Sequence, residues 1–154
     1  MSKKTITPAP ISRNENSKPL VLIVEDHPDT RTLLRYLIEA HAYSVAEAED
    51  GEQGVILAER LHPDLILMDT SLPRVDGFEA TRRIRDVISK HVPIIFISGY
   101  AQPEYRDAAL ATGGDDYFVK PVDVNELERA MERRLQLSNA VGAIAHGDAR
   151  HGLL

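Results

Sequence analysis

Four short apolar runs, each broken off by polar residues, set narrow limits on how this chain can fold. They are Leu20-Val21-Leu22-Ile23-Val24 ending on Glu25-Asp26, Leu65-Ile66-Leu67-Met68 ending on Asp69, Pro93-Ile94-Ile95-Phe96-Ile97 ending on Ser98-Gly99, and Tyr117-Phe118-Val119 ending on Lys120-Pro121. Uninterrupted apolar runs of strand length, bounded by turn residues, are the pattern of strands buried on both faces of a parallel sheet. Such strands all point the same way, so the groups that end them arrive at one edge. In open α/β sheets ligands bind outside the carboxyl ends of the strands, where the strand order reverses. Here that edge receives three carboxylates, a hydroxyl and an ammonium.

The stretches between the runs carry helical spacing. Asp26-His27-Pro28-Asp29 starts a first helix whose apolar stripe is Leu33, Leu34, Leu37 and Ile38; His27 and His41 read as surface residues. A less apolar segment, Tyr43 to Ala48, fits an edge strand. Asp50-Gly51 turns the chain into a second helix bearing Val55, Leu57, Ala58 and Leu61, which His62-Pro63 must stop. After Asp76-Gly77 the third helix buries Phe78, Ile84, Val87 and Ile88, and Arg82, Arg83 and Arg85 read as its solvent face. Glu104 to Ala111 has a thin stripe of alanines with Leu110, so that helix is weakly anchored. Asp123 with Glu126 forms a capping box before Val124, Leu127, Met131 and Leu135. Strand and helix thus alternate five times, which predicts an α/β fold with a doubly wound parallel sheet and helices on both faces. Residues 19–137 form that domain. The polar, proline-bearing stretch 1–18 is expected to be disordered, and the small, glycine-broken stretch 138–154 to be a flexible tail.

The chain has 154 residues, enough for one domain with a substantial core. It has no cysteine, which excludes disulfides, thiolate chemistry and Cys-ligated zinc. The net charge is −6, although Lys3, Lys4, Arg13 and Lys18 oppose only Glu15 in the leading segment. The remainder is therefore more acidic than the whole, and no direct DNA binding is expected. No apolar stretch is long enough for a membrane span or shaped like a secretory signal, so the expected setting is cytoplasmic with no membrane contact.

Asp69 by itself could be a helix cap or a reactive group. Its companions narrow the choice. Two carboxylates about 4 Å apart repel by about 4 kcal/mol at an effective dielectric near 20, and three such pairs would consume most of a domain's net stability. Lys120 supplies one neutralising charge and a divalent cation would supply two. All-oxygen ligands suit Mg²⁺, completed by water and phosphate oxygens. An Asp carboxylate beside Mg²⁺ can attack a phosphoryl group and become an aspartyl phosphate, with Lys120 and the Ser98 hydroxyl stabilising the phosphoryl oxygens. The plainer account, that Lys120 pairs with Asp69 and Ser98 caps the next helix, explains each residue but not the convergence of all five.

With these motifs in hand, residues from about Leu20 to Leu137 resemble a response-regulator receiver domain, the phosphoacceptor half of two-component signalling. The resemblance rests on Glu25-Asp26, on Asp69 followed by Leu72-Pro73 and Asp76-Gly77, on Ser98-Gly99 and on Lys120-Pro121, at intervals close to that family's. It implies a flavodoxin-like (βα)5 fold with strand order 2-1-3-4-5. It also implies that Asp69 accepts a phosphoryl group from a histidine kinase or phosphotransfer protein, with Mg²⁺ held by Asp26, Asp69 and the Ser71 backbone carbonyl and Glu25 acting through water. Ser98 and Tyr117 are the implied switch residues, and Lys120-Pro121 the implied cis bond. The output would be a changed surface on the fourth helix, fifth strand and fifth helix, read by a downstream protein, in a monomer or a weak dimer through that face.

In that family the positions of Ser71 and Tyr100 tune phosphoryl lifetime, and bulky Tyr100 is expected to shield the acyl phosphate. Asp115-Asp116-Tyr117 is similar to the winged-helix regulators, but Ala130 stands where those usually carry Arg. Three other roles compete with a stand-alone regulatory receiver. One is a phosphorelay intermediate or phosphate sink. Another is an aspartyl-phosphate phosphohydrolase, disfavoured because Ser71 replaces the second Asp such enzymes need. The last is a flavodoxin-like cofactor binder, disfavoured because Glu25-Asp26-His27-Pro28 would repel a phosphate without a metal.

Overall fold

The computed structural model describes residues 17–147, with only the backbone described for 139–147. The disorder expected for 1–18 therefore falls almost wholly outside the described residues. The elements are β1 (Leu20–Val24), α1 (Pro28–Glu39), β2 (Ser44–Ala48), α2 (Gly51–Leu61), β3 (Leu65–Asp69), α3 (Gly77–Val87), β4 (Ile94–Ser98), α4 (Pro103–Ala111), β5 (Asp116–Val119) and α5 (Val124–Gly147). All strand pairs are parallel and the order is β2-β1-β3-β4-β5, the expected flavodoxin-like doubly wound sheet with β2 at an edge.

The two-residue period of the strands divides the core into two layers. Leu22, Val24, Ile66, Met68, Ile94 and Phe96 face α2, α3 and α4, meeting Ala58, Ala80, Ile84 and Ala109. Val21, Ile23, Leu65, Leu67, Ile95 and Ile97 face the other way, onto Leu34 and Ile38 of α1 and Leu127, Met131 and Leu135 of α5. Each fully buried aliphatic side chain contributes about 1.5–3 kcal/mol through water exclusion, so the central strands anchor the site at their ends. Among the described residues no helix is long and apolar enough to cross a membrane.

Several details depart from the pattern expected of the sequence. Leu33 on α1, Val87 at the end of α3 and Leu110 on α4 are exposed rather than buried. A stripe inferred from spacing is wider than the strip of helix the sheet actually covers. Arg85 does not share the outward face of Arg82 and Arg83. Its guanidinium folds under the sheet and donates to the carbonyls of Val92 at 2.6 Å and Gly113 at 2.8 Å and to the Asp115 carboxylate at 3.1 Å. Burial lowers its pKa and Asp115 opposes that shift. Past 138, where a flexible tail is expected to begin, the backbone continues as helix α5 to Gly147. Residues 148–154 lie outside the described residues.

Candidate functional site

Capping chemistry decides which acids at the strand ends are free. Asp50, Asp76 and Asp123 accept from backbone N–H groups in the first turns of α2, α3 and α5. On α1 the capping position belongs to His27, whose ring faces the Thr30 N–H. Asp26 is thereby left outside the helix, exposed at the sheet edge. Glu25 just before it is 3% exposed and Asp69 6%. One carboxylate oxygen from each of Glu25, Asp26 and Asp69 lies within 4.8 Å of the others.

Lys120 enters from the end of β5. Its Nζ donates to Glu25 at 3.2 and 3.4 Å and to Asp69 Oδ2 at 3.4 Å. The Lys120-Pro121 bond is cis, and the Lys120 N–H is tied to the Ser98 carbonyl at 2.7 Å. One ammonium against two buried carboxylates leaves an excess of negative charge. Burial, with the neighbouring Asp69 carboxylate, pushes the Glu25 carboxyl up to about 8 against the pull of Lys120. A buried acid forced to hold its proton marks a place that a divalent cation would relieve. The donor set fits Mg²⁺, being all oxygen with two carboxylates buried and one open to solvent.

The loop after β3 is held to the same edge. Ser71 N–H donates to Asp69 Oδ1 at 3.3 Å, and Gly77 N–H donates to the Thr70 carbonyl at 3.0 Å. Only glycine fits there, because a Cβ on Gly77 would stand 1.9 Å from the Asp69 carbonyl oxygen.

Ser98 is fully buried, and its hydroxyl is 2.7 Å from that of Thr70 while accepting the Tyr100 N–H at 3.1 Å. Tyr117 is 9% exposed, packs near Phe96 and donates its hydroxyl to the Tyr100 carbonyl at 2.7 Å. The structure thus gathers Glu25, Asp26, Asp69 and Lys120 around one point, with Ser71 on the rim. Ser98 and Tyr117 are joined through the backbone of Tyr100.

Two participants escaped the sequence reading. Thr70 supplies the buried hydroxyl beside Ser98, and a threonine directly after an acid carries no signal of that. Arg31, one turn into α1, donates to the Glu25 carbonyl at 3.0 Å and reaches Glu49 at 3.4 Å, fixing the peptide between the two acids. Its position on the helix gave no hint, since the contact depends on α1 lying across the end of β1.

The chain is similar to known proteins. The family model described as the response regulator receiver domain matches residues 21–132. Protein PilH of Pseudomonas aeruginosa is 36% identical over 108 residues, covering 70% of this chain and 89% of PilH. The DNA-binding dual master transcriptional regulator RpaA of Synechocystis is 38% identical over 120 residues, 75% of this chain but only 50% of that protein. Among solved structures, the receiver domain of the sensor histidine kinase PA1611 from Pseudomonas aeruginosa PAO1 superposes with a TM-score of 0.73 at 38% identity, covering 77% of this chain and 98% of that one. That structure has a magnesium ion coordinated in its active-site cleft.

Proposed function

The chain belongs to the response regulator receiver family of two-component signalling, and from that premise we propose that Asp69 is its phosphoacceptor, charged by a histidine kinase or a histidine phosphotransfer protein. The observation that carries this reading is the Lys120 ammonium within 3.4 Å of Asp69, in an acidic cluster with room for a cation. In the transfer, an Asp69 carboxylate oxygen bonds to phosphorus as the phosphorus–nitrogen bond to the donor imidazole breaks. The bonding pair stays on the imidazole nitrogen. Lys120, freed from Glu25, neutralises charge on a phosphoryl oxygen, and Arg31 keeps the Glu25 peptide in place. Glu25, Asp26, Asp69 and the Ser71 carbonyl would hold Mg²⁺, which when bound supplies positive charge against the acids and the phosphoryl oxygens. The protein is a signalling phosphoacceptor, not a turnover enzyme.

Switching uses the hydroxyls already in place. The Ser98 hydroxyl leaves Thr70 for a phosphoryl oxygen, and the shift passes through Tyr100 to Tyr117. The surface it alters is that of α4, β5 and α5, where Leu110, Val119 and Val124 are exposed apolar groups for a downstream protein. Asp116 and Arg134 on this face are paired with each other at 2.7 Å, which fits a monomer or a weak dimer better than a tight one.

The test is incubation with Mg²⁺ and phosphoramidate or acetyl phosphate, followed by intact mass, with wild type beside Asp69→Ala. A single phosphoryl adduct that needs Mg²⁺ and vanishes in the variant is expected. No adduct on folded wild type, or one that survives in Asp69→Ala, would overturn the assignment.

A further inference from the structure

Tyr100 is held at four points, and one of them lies outside the acceptor site. Its N–H is bound by Ser98 and its carbonyl by Tyr117. Its hydroxyl accepts from the Ser71 Oγ at 3.3 Å, and Ser71 in turn donates its N–H to Asp69 Oδ1. Its ring stacks on Tyr105 of α4, with centroids 4.3 Å apart and planes 13° from parallel. The first three contacts fix the backbone and the tip of the side chain. Tyr100 is 40% exposed, and among the described residues Tyr105 is the aromatic ring stacked against it.

Resting on the phosphoacceptor reading above, we propose that Tyr105 is a positioning residue that sets the lifetime of the aspartyl phosphate by holding the Tyr100 ring across the rim at Ser71. Hydrolysis requires a water whose oxygen bonds to phosphorus while the phosphorus–Asp69 oxygen bond breaks. The electron pair returns to the carboxylate and inorganic phosphate leaves. The Tyr100 hydroxyl reaches Ser71, whose N–H is bound to Asp69 Oδ1, and the proposed role of the ring is to obstruct that water from this rim. Offset-stacked aromatic pairs prefer near-parallel geometry at this separation, so Tyr105 biases the ring toward the covering position. Tyr105 itself is half-buried against the core layer beneath α4, which otherwise buries only Ala109. The stack therefore also makes the covering position depend on where α4 sits.

The experiment phosphorylates the full chain with phosphoramidate and Mg²⁺, removes the donor, and follows loss of the adduct by intact mass. Wild type is compared with Tyr105→Leu, Tyr105→Phe, Tyr100→Leu and the Tyr100→Leu/Tyr105→Leu pair, each checked for native near-ultraviolet circular dichroism. Tyr105→Leu should shorten the lifetime by roughly threefold to tenfold, the range an aromatic pair commands. Its rate of adduct formation should be unchanged, and Tyr105→Phe should restore the wild-type lifetime. The paired variant should decay no faster than Tyr100→Leu alone, since Tyr105 acts only through that ring. An unchanged lifetime in Tyr105→Leu, or effects of the two substitutions that simply multiply, would overturn the proposal while leaving Asp69 as acceptor. If Tyr105→Leu misfolds, Tyr100→Leu still decides: a wild-type lifetime there removes the cover on which the role depends. Absence of any adduct on wild type would instead overturn the phosphoacceptor reading, and this inference with it.

Discussion

Glu25 is the residue whose state most depends on what occupies the site. Its carboxyl is pushed from about 4.5 up to about 8 by burial and by Asp69. A folded-state value above the unfolded one means that its contribution to folding is full below about 4.5 and is lost as pH climbs through about 8. Metal-free protein should therefore weaken across that window, and Mg²⁺ must displace the proton to bind. We expect Mg²⁺ affinity by isothermal titration calorimetry to rise as pH approaches 8 and to level off above it. Glu25→Gln should flatten the slope. A pH-independent affinity in wild type would refute this account. Gly77 is a second residue with a sharp requirement. Gly77→Ala drives a Cβ into the Asp69 carbonyl and should lower stability by about 2 kcal/mol or more in urea unfolding, while slowing adduct formation on Asp69.

Among the elements, α3 and α4 show how differently two helices on one face can be fastened. α3 buries Ala80, Thr81 and Ile84, and Arg85 ties its end to the loops before β4 and β5. Arg85→Ala removes charge-assisted bonds from two carbonyls and Asp115 and should cost about 2–3 kcal/mol by urea denaturation. Arg83→Ala, which breaks only an exposed pair with Glu79, should cost no more than about 0.5 kcal/mol. Equal losses from the two would show that the inward clamp carries no special weight. α4 has no side-chain cap on Gln102, starts at Pro103 and buries Ala109 alone. Its amides should exchange with deuterium well ahead of those of β1, β3 and β4, which open only with the whole fold. The thin stripe of α4 was legible in the sequence. The inward turn of Arg85 was not, because three arginines spaced along one helix look alike until the loops that receive them are in place.

For the whole molecule, the acidic site is a weak point closed by charge, joining the ends of β1, β3 and β5 from across the sheet. Lys120 and Glu25 meet although 95 residues separate them. A cation bound there should stabilise the entire fold, by about 2.7 kcal/mol when Mg²⁺ stands at a hundred times its dissociation constant. The urea midpoint should rise accordingly with the slope unchanged, and Asp69→Ala should lose most of the gain. A midpoint indifferent to Mg²⁺ would mean that the acids do not hold it.

The sequence by itself determined the parallel sheet and the residues at its edge. Uninterrupted apolar runs admit few environments other than a strand covered on both faces, and parallel strands bring their last residues together. Asp69, Glu25, Asp26, Ser98 and Lys120 were therefore readable from where their runs stop. What only the tertiary structure decided was everything that depends on distance between elements: the Thr70 hydroxyl beside Ser98, the Arg31 bond behind Glu25, the inward Arg85, and the Tyr105 ring against Tyr100. These contacts join segments whose spacing in the chain carries no period. They exist because helices packed on a twisted sheet bring particular turns within reach of particular loops, and no local pattern of residues records that reach.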